Sequence, residues 1–184
     1  MIQPDLKKAE TFLNLLDPSR VIWTFQTFDD NQDRKSSSLV RILHGRLDQH
    51  QSNLVALNKK GAGIFVCVNP TDGKGRTKEN ITKAHAVWIE DDDGNARLPT
   101  SPSLSVESSP GKYHHYFIMK DGSKEAFSLI QNELVANWGS DPNAKDISRV
   151  LRLPGFFHQK INAYKELDGS PFLVRLIEVN QHAG

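Results

Sequence analysis

Residues 86–94, AVWIEDDDG, join a short apolar run to four consecutive acids, Glu90, Asp91, Asp92 and Asp93. The apolar run is typical of a buried strand, whose side chains alternate between two faces. Glu90 and Asp92 then share one face, and Asp91 and Asp93 share the other. Carboxylates two residues apart on a strand lie about 6–7 Å apart at Cα, which allows them to bind one divalent cation or to bridge two. An Asp-Gly turn that closes a hairpin is the alternative interpretation.

The composition and charge narrow the class of protein. A chain of 184 residues with 38% hydrophobic and 24% charged residues suits one globular domain or two small lobes. Its net charge of +1 excludes a strongly basic chain but not nucleic-acid binding, because acids at a metal site offset bases at a phosphate site. The single cysteine, Cys67, excludes an internal disulfide and a zinc ribbon.

The N-terminal segment and the apolar runs bear on cellular location. The start of the chain, MIQPDLKKAE, lacks the apolar core of a signal peptide. No apolar run approaches the roughly 20 residues that a bilayer-spanning helix requires. We therefore expect a cytoplasmic protein with no membrane partner.

The segments around the acids predict an α+β fold. Apolar residues near helical spacing occur in DLKKAETFLNLL, RLDQHQSNLVALNKK and SKEAFSLIQNELVANW. β-Branched and aromatic residues predict strands in RVIWTFQTF, SLVRILHG, GAGIFVCVNP, HAVWIE, SLSVES, YHHYFIM and PFLVRLIEV. Because helices and strands do not alternate regularly, the pattern favours α+β over a doubly wound sheet.

A predicted hairpin follows the acids, in VESSPGKYHHYFIM. Backbone N–H groups at its glycine turn are suited to binding phosphate. On the returning strand, His114 and Tyr116 share one face, while Tyr113, His115 and Phe117 share the other. Only one of the two adjacent histidines is therefore expected to face a site. A half-buried structural histidine is the alternative, and for His115 it is the preferred interpretation.

A basic segment, DISRVLRLPGFFHQK, occupies residues 146–160. Asp146 is suited to cap a short helix, with Arg149 and Arg152 together on its outer face. The buried stripe of this helix would consist of Ile147, Val150 and Leu151. His158 and Lys160 follow just beyond. The segment therefore predicts a site that binds a triphosphate through charge-assisted hydrogen bonds. A solvated basic face is the alternative.

A second basic stretch, NPTDGKGRTKEN, precedes the acidic strand. It lacks the GxxxxGK[ST] pattern of a P-loop, which excludes an ATPase site of that kind. Lys74 and Arg76 are candidates for weak contacts to phosphate or to a template strand. A mobile, solvated loop is equally compatible with this composition.

Taken in order, these motifs resemble the catalytic core of the archaeo-eukaryotic primase superfamily, in particular the primase domains of plasmid and phage replication proteins. The resemblance is carried by the strand ending in spaced acids, by SSPGKYHHYF, and by an Asp preceding RVLRLPGFFHQK. It implies an N-terminal α/β lobe over about residues 1–84, packed on a lobe like an RNA-recognition motif over about 85–184. The active site would lie in the cleft between the lobes of this single catalytic domain.

The resemblance also implies roles for particular residues. Glu90 and Asp92 match the paired metal-binding acids, although Asp91 with Asp93 remains an alternative register. Asp141 matches the third acid better than Asp146, which has a capping role available. The residues implied to bind the nucleotide are Ser109, Lys112, His114, Arg152, His158 and Lys160, with weaker phosphate or template contacts from Lys74, Arg76 and Arg149. Two Mg²⁺ or Mn²⁺ ions are the implied cofactors.

The expected activity is that of a DNA-templated nucleotidyltransferase, a DNA primase or primase-polymerase that makes primers during plasmid or phage replication by two-metal-ion catalysis. Its expected partners are a single-stranded DNA template, NTP or dNTP, and a helicase or helical priming domain in cis or in trans. Many relatives carry a zinc-binding module, for which this chain lacks the cysteines. A metal-dependent nuclease and a non-catalytic DNA-binding module of a replication initiator remain alternative functions.

Overall fold

The structure is a computed structural model that describes residues 2–120, 122–160 and 170–179. Within those residues the chain forms α1 (Leu6–Leu16), β1 (Trp23–Asp29), β2 (Arg41–Gly45), α2 (Leu47–Lys59), β3 (Ala62–Cys67), β4 (Ala86–Asp91), β5 (Leu104–Ser109), β6 (Lys112–Ile118), α3 (Lys124–Asn137), β7 (Val150–Arg152), β8 (Phe157–His158), β9 (Phe172–Leu173) and β10 (Arg175–Val179). Short 3-10 helices occur at Ser37–Leu39 and Lys78–Asn80. The mixture of helices and antiparallel strands confirms the predicted α+β class.

The first sheet has the strand order β2-β1-β3-β7, and all its pairs are antiparallel. On one face the fully buried Phe25 meets the ring of His50 from α2, with centroids 6.2 Å apart. Leu54 and Leu57 are also buried, because their spacing places them on the inner side of α2. α2 therefore covers one face of this sheet, and the other face carries the side chains discussed below.

The second sheet has the order β10-β5-β6-β4, and α3 lies against its β4 edge. The Gln131 side chain donates to the Trp88 carbonyl oxygen at 2.8 Å and accepts from the Trp88 N–H at 3.1 Å. These bonds occupy backbone groups that an edge strand would otherwise leave unpaired. Phe127 packs on Trp88 with ring centroids 5.4 Å apart. α3 thereby fixes the strand that ends in the acids.

α1 joins the two sheets. The Asp5 carboxylate caps this helix by accepting from the Lys8 N–H at 3.1 Å, and Phe12 meets Tyr116 of β6 edge-on at 5.6 Å. The Asp5 N–H donates to the Gly155 carbonyl oxygen at 2.7 Å. Gly155 has a φ of 86°, and an added Cβ would collide with the Asp5 carbonyl oxygen, so the close approach requires glycine. The buried residues of both sheets form one continuous core.

The predicted short helix in DISRVLRL is wrong. Val150–Arg152 forms strand β7, which extends the first sheet by pairing with β3. The Asp146 carboxylate caps a turn instead, accepting from the N–H of Ser148 at 2.9 Å and from its hydroxyl at 2.8 Å. Pairing with β3 satisfies backbone groups along a buried strand, and this tertiary contact overrides the local helical pattern. Arg149 and Arg152 consequently do not share a helix face.

The predicted C-terminal strand PFLVRLIEV is divided in two. β9 pairs with β8, whereas β10 pairs with β5 at the edge of the second sheet. The other predicted helices and strands occur within a few residues of their expected positions. The proposed lobe boundary near residue 84 stays a prediction, and the first sheet takes β7 from beyond it. Across the described ranges, no helix is both long and apolar enough to span a bilayer.

Candidate active site

The consecutive acids at the end of β4 lie in different environments. Glu90 remains on the strand, is 7% exposed, and accepts two hydrogen bonds from the Arg149 guanidinium, each 2.8 Å long. Asp91 belongs to the opposite face, where one of its oxygens lies 4.0 Å from His115 Nε2 and the other accepts from the Asn95 N–H at 3.0 Å. Asp92 follows the strand, with its side chain 59% exposed. Strand alternation therefore separates Asp91 from Glu90 as expected.

Asp141 joins the acids through backbone and side chain. Its N–H donates to the Glu90 carbonyl oxygen at 3.0 Å, which holds the segment after α3 along the edge of β4. The Asn143 backbone N–H lowers the pKa of Asp141 against the opposing effect of burial, and the neighbouring Asp92 has a smaller effect. Asp92 also lies 3.6 Å from the Lys112 ammonium. The structure thus brings Asp92 and Asp141 together beside the hairpin turn.

The donor set fits a hard divalent cation only in part. Asp92 and Asp141 offer the carboxylate oxygens that Mg²⁺ and Mn²⁺ prefer. Glu90 is engaged with Arg149, so it would have to leave this pair to act as a ligand. In the described ranges, no group of three or more Asp, Glu, His or Cys residues is arranged to hold a metal ion.

His114 lies opposite Glu90 on the neighbouring strand and is buried. Burial, and after it the positive charge of Arg152 and Arg149, lowers the pKa of His114 to about 3. Among the described residues, its Nδ1 atom has no hydrogen-bond partner. A buried polar atom without a partner is costly, so a site of this kind is suited to a ligand that supplies one. Arg149 and Arg152 lie near it, each paired with a carboxylate, so an anion would have to compete with Glu90 for Arg149.

Arg152 is fixed by a residue that the sequence motifs did not identify. Asp30 accepts two hydrogen bonds from its guanidinium, at 2.8 and 3.0 Å, and both side chains are almost completely buried. An added Cβ at Gly63 would lie 2.6 Å from an atom of each partner. The pair therefore fits against β3 only because residue 63 has no side chain. The available signal in the sequence is an acid directly after the buried strand β1.

His158 lies near Arg152. Its Nδ1 atom lies 2.8 Å from the Ser108 carbonyl oxygen, which links β8 to the end of β5. Burial, with Arg152 as the next cause, lowers the pKa of His158 to about 4. A neutral histidine that donates from Nδ1 is therefore the expected form at neutral pH.

The remaining predicted residues differ in position. Ser109 is buried at the end of β5, and Lys112 is exposed at the start of β6. Lys160 follows β8, close enough to His158 to lower the pKa of that imidazole. Lys74 is exposed, whereas the Arg76 guanidinium donates to the Gln26 side chain at 2.9 Å and to the Ser148 carbonyl oxygen at 3.3 Å.

Comparison with known proteins bears on the family and the fold. The family described as the RepB DNA-primase N-terminal domain matches residues 26–183. The archaeo-eukaryotic primase domain of the cyanophage S-2L primase-polymerase superposes with a TM-score of 0.75 at 20% identity, over 96% of this chain and 91% of that one. No curated protein sequence matches the chain.

Two further structures have the same fold. The crystal structure of primase RepB′ gives a TM-score of 0.68 at 17% identity, over 95% of this chain and 56% of that one. The catalytic domain of RepB′ in complex with initiator DNA gives 0.67 at 17% identity, over 95% of this chain and 84% of that one. The fold is that of the archaeo-eukaryotic primases, which confirms the resemblance. The chain belongs to the RepB DNA-primase N-terminal domain family.

Proposed function

We propose that this primase-family domain joins nucleotides on a single-stranded DNA template, using Asp92, Asp141 and Glu90 as the acidic side of its site and His114 with Arg149 and Arg152 as the basic side. The observation that supports this most directly is the buried His114, whose Nδ1 atom has no partner in the described part of the chain. Burial, and after it the charges of Arg152 and Arg149, lower its pKa, and a buried imidazole beside two arginines is suited to the phosphates of a nucleoside triphosphate.

The basic residues would act on the phosphates through position and charge. His114 and Arg152 would stabilise negative charge that develops as pyrophosphate leaves, with His158, Lys112, Ser109 and Lys160 as additional contacts. Asp30 holds the Arg152 guanidinium in one orientation, so little ordering is needed when the nucleotide binds. No covalent intermediate is required, because phosphoryl transfer depends on positioning and electrostatics.

Asp92 and Asp141 would hold the divalent metal, Mg²⁺ or Mn²⁺, and Glu90 would join them after releasing Arg149. The bound metal would lower the pKa of the attacking 3′-hydroxyl and neutralise phosphate charge. Release of Arg149 would also free a guanidinium for phosphate, since its side chain is already 34% exposed.

The domain would act in the cytoplasm during plasmid or phage DNA replication. The cyanophage S-2L relative is called a primase-polymerase, and RepB′ has been crystallised with initiator DNA. These names support a nucleic-acid substrate for this chain as well. A helicase or helical priming domain, in cis or in trans, would supply the unwound template.

Incorporation of labelled nucleotides on a single-stranded template with Mn²⁺ or Mg²⁺ tests the proposal. Asp92→Asn should lower the rate on the order of 100-fold or more, because the substitution removes a carboxylate ligand without changing shape. Asp93→Asn is the matched control: it is the adjacent acid, it bonds to Asn95, and its rate should equal that of the wild type.

Three results would contradict the proposal. Equal rates for Asp92→Asn and the wild type would show that Asp92 is not a metal-binding acid of the site. Template cleavage that needs no nucleoside triphosphate would favour a nuclease. DNA binding with no incorporation under any metal would favour a non-catalytic module of a replication initiator.

A further inference from the structure

The face of the first sheet opposite α2 carries a row of side chains that crosses all four strands. Ile42 lies opposite Gln26, Gln26 opposite Phe65, and Phe65 opposite Arg152. Phe28, two residues along β1 from Gln26, meets the Phe65 ring edge-on with centroids 5.5 Å apart. Phe28 is 36% exposed, Ile42 is 47% exposed, and Phe65 is partly exposed. This set, Phe28, Phe65 and Ile42, forms a partly exposed apolar platform around the buried Gln26.

Cationic groups border the platform. The Arg152 guanidinium lies over the Phe65 ring, 4.6 Å from its centroid. Arg76 is held beside the row by its hydrogen bond to Gln26. It belongs to the segment 74–83, which has four lysines and arginines against one glutamate. A 2.7 Å contact between the hydroxyls of Thr24 and Thr71 fixes the start of this loop against the same sheet.

The shape and charge of the platform favour single-stranded nucleic acid over a single nucleotide. Exposed aromatic rings bordered by arginine and lysine are typical of surfaces on which unpaired bases stack while phosphates meet the cations. The three strands that carry the platform extend about 10 Å at their usual spacing, which is longer than one base. The row also ends at Arg152, so a strand crossing it would lead toward the proposed triphosphate-binding residues.

We infer that the platform of Phe28, Phe65 and Ile42 binds unpaired bases of the single-stranded DNA template by stacking and apolar contact, while Arg76 and its loop meet the phosphates. The inference rests on the proposed function for the identity of the strand. It adds a binding surface outside the acidic and triphosphate-binding residues. Because stacking does not read base identity, the surface would accept a template of any sequence.

Fluorescence anisotropy of a labelled single-stranded oligonucleotide, without metal and without nucleotide, measures this binding apart from catalysis. The double variant Phe28→Ala, Ile42→Ala should bind about tenfold more weakly than the wild type. Phe28→Trp should retain the affinity, since it keeps an aromatic face. Leu129→Ala is the matched control, because Leu129 is a 75% exposed apolar residue on α3, and its affinity should be unchanged.

An abasic oligonucleotide of equal length separates stacking from charge. It should bind the wild type about as weakly as the normal oligonucleotide binds the double variant. The inference is overturned if the folded double variant binds normally, if the abasic strand binds as tightly as the normal one, or if the double variant changes only the KM for nucleotide. A loss of incorporation in Asp92→Asn with normal strand binding leaves the platform intact, so the two proposals fail separately.

Discussion

Arg149 and Arg152 lie at the two ends of one short stretch of chain, yet their environments differ. The Arg152 pair with Asp30 is closed from solvent, with side-chain exposures of 7% and 2%. In the Arg149 pair with Glu90, the carboxylate is 9% exposed and the guanidinium is 34% exposed. The first pair therefore holds one geometry. In the second pair the Arg149 guanidinium is able to leave Glu90, because water already reaches it. A fixed cation and a releasable cation thus flank His114.

Asp30→Asn is the substitution with the largest expected effect on stability. It removes the counter-charge of a buried arginine, and breaking such a pair typically costs about 3–5 kcal/mol. The free energy of unfolding, from urea denaturation, measures the loss. Asp48→Asn breaks the exposed pair with Arg46 and should cost far less, because solvent screens that pair. Similar values for the two variants would show that the Arg152 pair is not fixed.

The pH dependence of stability should come next in size. His158 has an ordinary pKa of 6.5 when unfolded and about 4 when folded, so only the unfolded chain binds its proton between these values. Its contribution is complete above pH 6.5 and is lost as the pH falls toward 4. The loss is on the order of 3–4 kcal/mol, at about 1.4 kcal/mol per pKa unit.

Urea denaturation at a series of pH values would measure this loss in the wild type and in His158→Gln. The variant should have a smaller slope between pH 4 and 6.5, because one titrating group is removed. His114, with a pKa lowered to about 3, should contribute to the slope that remains, together with carboxylates of lowered pKa such as Asp29 and Asp141 near pH 4. An unchanged slope in His158→Gln would mean that this histidine is not held neutral beside Arg152.

Glu90→Gln should have the smallest effect on stability of the three. Arg149 is able to turn toward solvent, so the expected cost is about 1–2 kcal/mol, measured by the same denaturation. Nucleotide incorporation should fall much more than stability, since the proposed third carboxylate is lost. A cost as large as that of Asp30→Asn would remove the distinction between a fixed and a releasable pair.

The sequence predicted the parts of the molecule that depend on local patterns. Alternation along β6 correctly separated His114 from His115, whose Nδ1 atom contacts the Ser105 hydroxyl at 2.8 Å on the opposite face. The segment Val150–Arg152 could not be assigned in this way, because its strand character comes from pairing with β3. Asp30 and Arg152 lie 122 residues apart, so no local spacing relates them. The Asp30–Arg152 pair can therefore be recognised only in the folded structure.

The proposed site depends most directly on phosphate reaching His114. NMR of the histidine ring nitrogens, with Mg²⁺ present, compares the chain before and after a nucleoside triphosphate is added. We predict a large shift of the His114 Nδ1 resonance as this atom gains a partner. The adjacent His115, on the other face of the sheet, should shift little and serves as the internal control. Bound nucleotide with no change at His114, or with equal changes at both histidines, would contradict the proposed site.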